Sequence, residues 1–313
     1  MRIASSQFQA TMNRGLEENQ SWVSKLTEQM ASGNRIMLPS DDPIGAVRIS
    51  RLTREEAIVG QYRENIAATK IRLDSNEEYL SSMTRDITQA HDLLVWASDA
   101  SNTPDDLRAM VSTLTSLRDS LLYTANQKDQ EGRYIFSGTL SNDPAIAITV
   151  DPAAPGGATY AYGGNQGQQK TVIGNGITQT VNVNVDGLQD LLMKMNATIG
   201  ALSNPALAPN DPAVRAVLDD NMSNATTTLD LIAGKIAQLG GAQNVMATLD
   251  DNHANVSLSN KSAILDLGQL DYAEAATELS GYNLSLEASY KACLLYTSPS
   301  PRDATLSRMP SSA

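Results

Sequence analysis

Residues 66–97 read IAATKIR-LDSNEEY-LSSMTRD-ITQAHDL-LVWA, cut here every seven residues. Ile66, Leu73, Leu80, Ile87 and Leu94 open the blocks, and Thr69, Asn76, Met83, Ala90 and Ala97 stand three residues further on. A sevenfold apolar repeat sustained this long specifies a helix that buries one seam against other helices. Outward from it, Ser40-Asp41-Asp42-Pro43 supplies a start, with Asp42 at the N-cap and Pro43 at the first helical position. This helix is expected to run to about Ala100. Thr103-Pro104-Asp105-Asp106 restarts a helix by the same logic, and Leu107, Leu114 and Leu121 carry it to about Gln130.

Towards the N-terminus, Met12, Leu16, Asn19, Val23, Leu26 and Met30 follow 4-3-4-3-4 spacing, an a/d seam with one polar member. Asn19 would fix register at some cost in stability. This helix spans Arg2 to about Ile36 and is broken at Gly33, since glycine tolerates the left-handed conformation that ends helices. A seam this narrow on a helix roughly 45–50 Å long needs a partner helix. Towards the C-terminus, Gly187 to about Ile199 is helical and Pro212 opens another long helix. Leu218, Ala225, Ile232, Leu239 and Met246 form its seam. Past Gly240-Gly241 a final helix is expected on Leu258, Leu265, Tyr272, Leu279 and Leu286.

The middle is different. Residues 132–187 are rich in Gly, Asn and Thr, with β-prone runs at 134–136, 147–150, 160–162, 171–173 and 181–185. Gly156-Gly157, Gly163-Gly164 and Gly174-Asn175-Gly176 separate them, which predicts an antiparallel β insert. The expected fold is mainly α with a small β insert: a long antiparallel helical coiled-coil rod carrying an outer antiparallel β domain. Residues 293–313 break the pattern at the one cysteine, Cys293. With Pro299 and Pro301 they read as a non-native tail, the alternative being a genuine disordered one.

Composition narrows the function. Of 313 residues 41% are hydrophobic but only 4% aromatic, so helices packed along Leu, Ile, Met and Ala seams fit better than one large core. The net charge of −12 opposes a nucleic-acid partner. No apolar run reaches membrane-spanning length, and residues 1–20 lack the apolar core of a cleaved signal peptide. One cysteine excludes an internal disulfide framework, and two histidines leave little for metal or His-based catalysis. Asp41 and Asp42 diverge on a helix, so capping suits them better than paired-carboxylate chemistry. No catalytic, cofactor or metal residues are assigned.

Ser32-Gly33-Asn34-Arg35-Ile36 and Ser40-Asp41-Asp42-Pro43-Ile44-Gly45-Ala46, after Met1-Arg2-Ile3 and a Gln-rich helix, resemble the N-terminal signature of the bacterial flagellin superfamily. Gly132-Arg133-Tyr134-Ile135-Phe136-Ser137-Gly138 resembles its hook-associated protein 3 group, the hook–filament junction proteins. The resemblance covers residues 1 to about 292. It implies a terminal helical polymerisation domain (1–36 and 273–292), a helical rod domain (37–131 and 188–272) and an outer β insert (132–187). It implies a non-enzymatic subunit exported uncleaved through the flagellar type III apparatus to the extracellular flagellum. The partners it implies are copies of itself in a ring, hook-associated protein 1, flagellin and an export chaperone. On that reading Met12, Leu16, Val23, Leu26, Met30, Leu279 and Leu286 form the self-assembly seam. Filament flagellin is the alternative, and a secreted carbohydrate-binding or hydrolytic protein using Tyr160 and Tyr162 of the insert is the second.

Overall fold

The computed structural model describes residues 2–204 and 211–297, with side chains from Gln7 to Leu294. The order is α1 (Arg2–Ser32), α2 (Pro43–Ala97), α3 (Pro104–Ala125), β1 (Ile146–Val150), β2 (Ala158–Tyr162), β3 (Lys170–Gly174), β4 (Ile177–Thr180), α4 (Leu188–Leu202), α5 (Pro212–Gly268) and α6 (Tyr272–Thr297). The chain divides into two compact units, residues 58–256 and residues 1–57 with 257–313.

In the first of these, Ile66, Leu73, Leu80, Ile87 and Leu94 are all buried, as the repeat requires. They share one core with Leu107, Leu114 and Leu121 of α3, Leu188 and Leu192 of α4, and the α5 seam from Leu218 to Met246. α2 and α5 run antiparallel: Arg63 pairs with Asp250 at 2.8 Å, Gln243 donates to Asp74 at 2.8 Å, and Ser98 lies against Met222. Thr103 caps α3 in a full capping box with Asp106.

The β region departs from expectation. It forms two separate two-stranded antiparallel hairpins, β1–β2 and β3–β4. Residues 134–136 and 181–185 make no strand, only isolated bridges at Tyr134 and Asn184. Their side chains are committed to the helical core instead. Phe136 is fully buried and meets Tyr79 edge-on at 6.3 Å, and Val181 and Val185 are buried. Asn182 bonds the backbone of Gly167 and Gln169. Burial of rings and methyls outweighs strand propensity here, because that propensity spans only about 1 kcal/mol.

Three helix limits also change. α3 stops at Ala125, because Asn126 brackets Ile146 with both amide atoms, each at 2.9 Å, and draws the chain away. α5 continues through Gly240 and Gly241; each costs about 1 kcal/mol against alanine, offset by buried Leu239 and Met246 on either side. α6 continues past Ala292 to Thr297, two residues before Pro299, and 298–313 lie outside the described residues.

The last part of α5 buries polar residues rather than the expected leucines. Leu258 and Leu265, expected in the seam, are 69% and 60% exposed, and Tyr272 is half exposed. Ser257 and Asn260 are buried in their place. Asn260 stands two heptads past Met246 and Ser257 three heptads past Ile236, so the α5 seam keeps its register with polar residues in it, while Leu258 and Leu265 lie one position off it.

Candidate self-assembly site

α1 and α6 pack antiparallel within the unit that holds both chain ends. Leu26, Leu270 and Ala275 form a small buried core, flanked by Met30, Leu279 and Tyr282. Met12, Leu16, Val23 and Leu286 are half-buried on the two helices. Asn19 Nδ2 donates to Ser285 Oγ at 3.2 Å. One helical turn on, Trp22 stacks on Tyr282 with centroids 6.1 Å apart and planes 6° from parallel. Lys25 Nζ lies 5.3 Å from the Trp22 centroid, within cation–π range. Tyr272 donates its hydroxyl to the Met30 carbonyl at 3.2 Å.

The residues after α1 knit this pair to the end of α5. Gly33 has φ of +73° and donates its N–H to the Gln29 carbonyl. A Cβ there would stand 3.2 Å from the Tyr272 hydroxyl. Ser32 Oγ accepts from Asn34 N at 3.2 Å. Asn34 bridges Gln269, Leu270 N donates to the Gly33 carbonyl at 3.0 Å, and Arg35 N donates to the Gly268 carbonyl at 2.8 Å. The Arg35 guanidinium reaches the Leu267 carbonyl at 3.0 Å. Helix ends leave such carbonyls unpaired and negative, so a cation with several N–H groups suits the place. Gln29, buried on α1, donates to the Arg35 carbonyl at 2.5 Å.

Asp41 and Asp42 divide the labour. Asp42 Oδ1 accepts from Gly45 N at 2.8 Å, which caps α2, and Oδ2 meets Arg35 at 3.2 Å. Asp41 is not a cap. It accepts from Lys25 Nζ at 2.8 Å and from the N–H groups of Met37 and Leu38, pinning the loop to α1. Both carboxyls are held below the usual aspartate range: Asp41 chiefly by the Lys25 hydrogen bond, Asp42 chiefly by the Gly45 N–H. Pro43 opens α2 as its first residue. Ser40 is exposed on the turn before it.

Sequence reasoning passed over Gln29, the Tyr272 hydroxyl and the Trp22–Tyr282 stack. Trp22 had a signal: it is one of two tryptophans in an aromatic-poor chain and sits beside a seam residue. Gln29 had none, since it lies on the turn facing the loop rather than on the seam. Tyr160 and Tyr162 do not offer a sugar platform. Tyr160 is buried, and Tyr162 donates its hydroxyl to the Phe136 carbonyl at 3.0 Å. No helix among the described residues is long and apolar enough to cross a membrane.

A family model for the bacterial flagellin N-terminal helical region matches residues 3–141. Flagellar hook-associated protein 3 of Escherichia coli is 28% identical over 306 residues, 93% of this chain and 96% of that protein. The Salmonella typhimurium protein of the same name is 28% identical over 316 residues, 93% and 95% of the two chains. A solved structure described as a flagellar hook-associated protein of Vibrio parahaemolyticus superposes with a TM-score of 0.66 at 26% identity, over 73% of this chain and all of that one. A Legionella pneumophila hook-associated protein 3 structure shares the fold, with a TM-score of 0.61 at 12% identity over 70% and 98%. Over residues 3–141 the chain matches the bacterial flagellin N-terminal helical region, and over most of its length it is similar to flagellar hook-associated protein 3.

Proposed function

We propose that this chain is a structural, non-enzymatic subunit of the bacterial flagellum that forms the junction between the hook-associated protein 1 zone and the flagellin filament. Its work is mechanical. The paired ends of neighbouring copies, arranged as a ring, pack into a tubular wall. Burial of the seam residues Met12, Leu16, Val23, Leu26, Met30, Leu279 and Leu286, at about 25 cal/mol per Å² of apolar surface, drives assembly. Residues 132–187 decorate the outside, and an export chaperone guards the chain before it leaves the cell.

One observation carries this reading. Among the described residues, two helices of 31 and 26 residues share a core of three buried apolar side chains, Leu26 of α1, Ala275 of α6 and Leu270 just before α6. The rest of the seam is only half covered. Such a pair is marginal in a single chain, where ordering two helices costs about 1–2 kcal/mol per residue of backbone entropy. Neighbouring copies supply the missing cover.

The test is sedimentation velocity on the full chain at rising concentration, beside the Leu16→Ser/Val23→Ser variant. Concentration-dependent oligomers of the parent, lost in the variant, support the reading; a variant that assembles as the parent does refutes it. Deleting the gene separates junction subunit from filament subunit: loss of a junction subunit leaves hooks and secreted, unassembled flagellin.

A further inference from the structure

The first turns of α2 carry two faces. Gly45, Ile49, Leu52 and Glu56 turn inward, where Ser257 Oγ donates to Glu56 at 2.6 Å and Lys261 stands 3.2 Å from it. Ile44, Val47, Arg51 and Arg54 fall on one stripe of the opposite side, at i, i+3, i+7 and i+10. Ile44 and Val47 are each 69% exposed. Val47, Arg51 and Arg54 of this stripe, with Pro39, Pro43, Ala46 and Ser50, wall a groove of about 510 Å³. Arg51 and Arg54 have no carboxylate partner among the described residues, in a chain of net charge −12.

A second uncovered stripe lies on α5 in the same unit. Leu258 and Leu265, one position off the buried seam, are seven residues apart, the spacing of Val47 and Arg54, and Asp266 is exposed beside Leu265. Asp266 likewise has no cation partner among the described residues. The α2 stripe sets unpaired arginines around an aliphatic centre, and the α5 stripe sets an unpaired carboxylate beside leucines, with Lys261 between them already paired to Glu56. The α2 stripe does not suit a copy of itself, because that would set Arg51 and Arg54 against their own kind.

We infer that the Ile44–Arg54 stripe of one copy docks on the Leu258–Asp266 stripe of the next, a head-to-tail contact between two copies of this chain. It rests on the assembly reading above and adds to the α1–α6 seam a second, different surface. A contact between two unlike patches propagates from copy to copy, as a ring or tube demands, whereas a contact of like with like stops at a dimer.

The experiment uses full chains in which Cys293→Ala removes the native thiol. One carries Val47→Cys, the other Leu265→Cys. Mixed and oxidised under assembling conditions, they are expected to give a 47–265 disulfide dimer, and a chain with both substitutions a ladder of multimers. Only 47–47 or 265–265 dimers, or none, overturns the inference. In parallel, Arg51→Glu with Arg54→Glu is expected to raise the concentration for half-assembly about tenfold, and Asp266→Arg in the same chain to recover part of it. Unchanged assembly of the double variant, or no recovery, is equally fatal. If Leu16→Ser/Val23→Ser abolishes assembly while the 47–265 bond never forms, this contact is wrong and the seam reading stands. A parent chain that stays monomeric at every concentration takes down both.

Discussion

The side-chain amide of Asn19 donates to the hydroxyl of Ser285 at 3.2 Å, across 266 positions of sequence. This bond sets which turn of α1 faces which turn of α6. The Trp22–Tyr282 stack and the Tyr272 bond to Met30 follow in the same register. A polar group inside an apolar seam gives up stability for a defined alignment. Asn19→Leu is expected to raise the melting temperature of the full chain and to broaden its distribution of oligomers. Thermal melts by circular dichroism with mass photometry of the assemblies decide it; a narrower distribution would mean that Asn19 sets no register.

Leu26 is the most enclosed seam residue of α1, 5% exposed. Leu26→Ala should cost about 2–3 kcal/mol at the α1–α6 pair and leave the core around Leu80 and Leu114 intact. Amide exchange resolves the two: protection should fall in α1 and α6 and hold in α3. A uniform loss would mean that the terminal pair does not open independently.

Helix content should rise when the chain assembles, because seam residues left half-covered in one copy become covered. Far-ultraviolet circular dichroism before and after assembly measures the change. Equal helicity in both states would show that the ends are already fully ordered in the single chain.

Asp41 and Asp42 give the loop an acid threshold. Both have folded pKa values lowered from the ordinary aspartate value of about 3.9. Their contribution is therefore present above that value and is lost as pH falls below it through the folded pKa. Exchange of the Leu38 and Gly45 N–H groups should stay slow to about pH 4 and quicken below it. Asp42→Ala should remove the dependence at Gly45 and leave that at Leu38.

Tyr162 titrates from the other side. Burial, with Asp186 nearby, pushes its phenol up to about 12. A raised folded pKa makes its contribution complete below the ordinary tyrosine value of about 10 and lost as pH rises through the folded one. Absorbance at alkaline pH should show Tyr162 and the buried Tyr160 ionising late, and Tyr162→Phe should shrink that phase by one phenol. A variant whose late phase is undiminished would place the second buried phenol elsewhere.

Much of this molecule was legible in local pattern. The repeat from Ile66 to Leu94 specified a buried helical seam, and Asp42-Pro43 and Thr103-Pro104 marked helix starts at the right residues. The 4-3 spacing from Met12 to Met30 named the face of α1 that meets α6. Periodicity and capping act over one or two turns, so the chain itself states them. What escaped depended on distant atoms. Asn126 could not announce that it would hold Ile146, nor Phe136 that it would leave a strand-like run to fill the core beside Tyr79. The Gly240-Gly241 pair looked like a break because its local cost is visible and the offsetting burial of Leu239 and Met246 is not.

The candidate site divides along the same line. Residue types and spacings alone marked Gly33 as a helix stop and Asp42 as a cap; the seam's role as an assembly face came from the family resemblance. Only the folded chain assigned Asp41 to Lys25 and Arg35 to the carbonyls of Leu267 and Gly268, and turned Leu258 and Leu265 outward. The physical reason is range: dihedral preferences and the 3.6-residue turn are written into neighbouring residues, whereas the partner of a charge or an orphan carbonyl is settled by whichever group the packing of remote segments brings within about 3 Å.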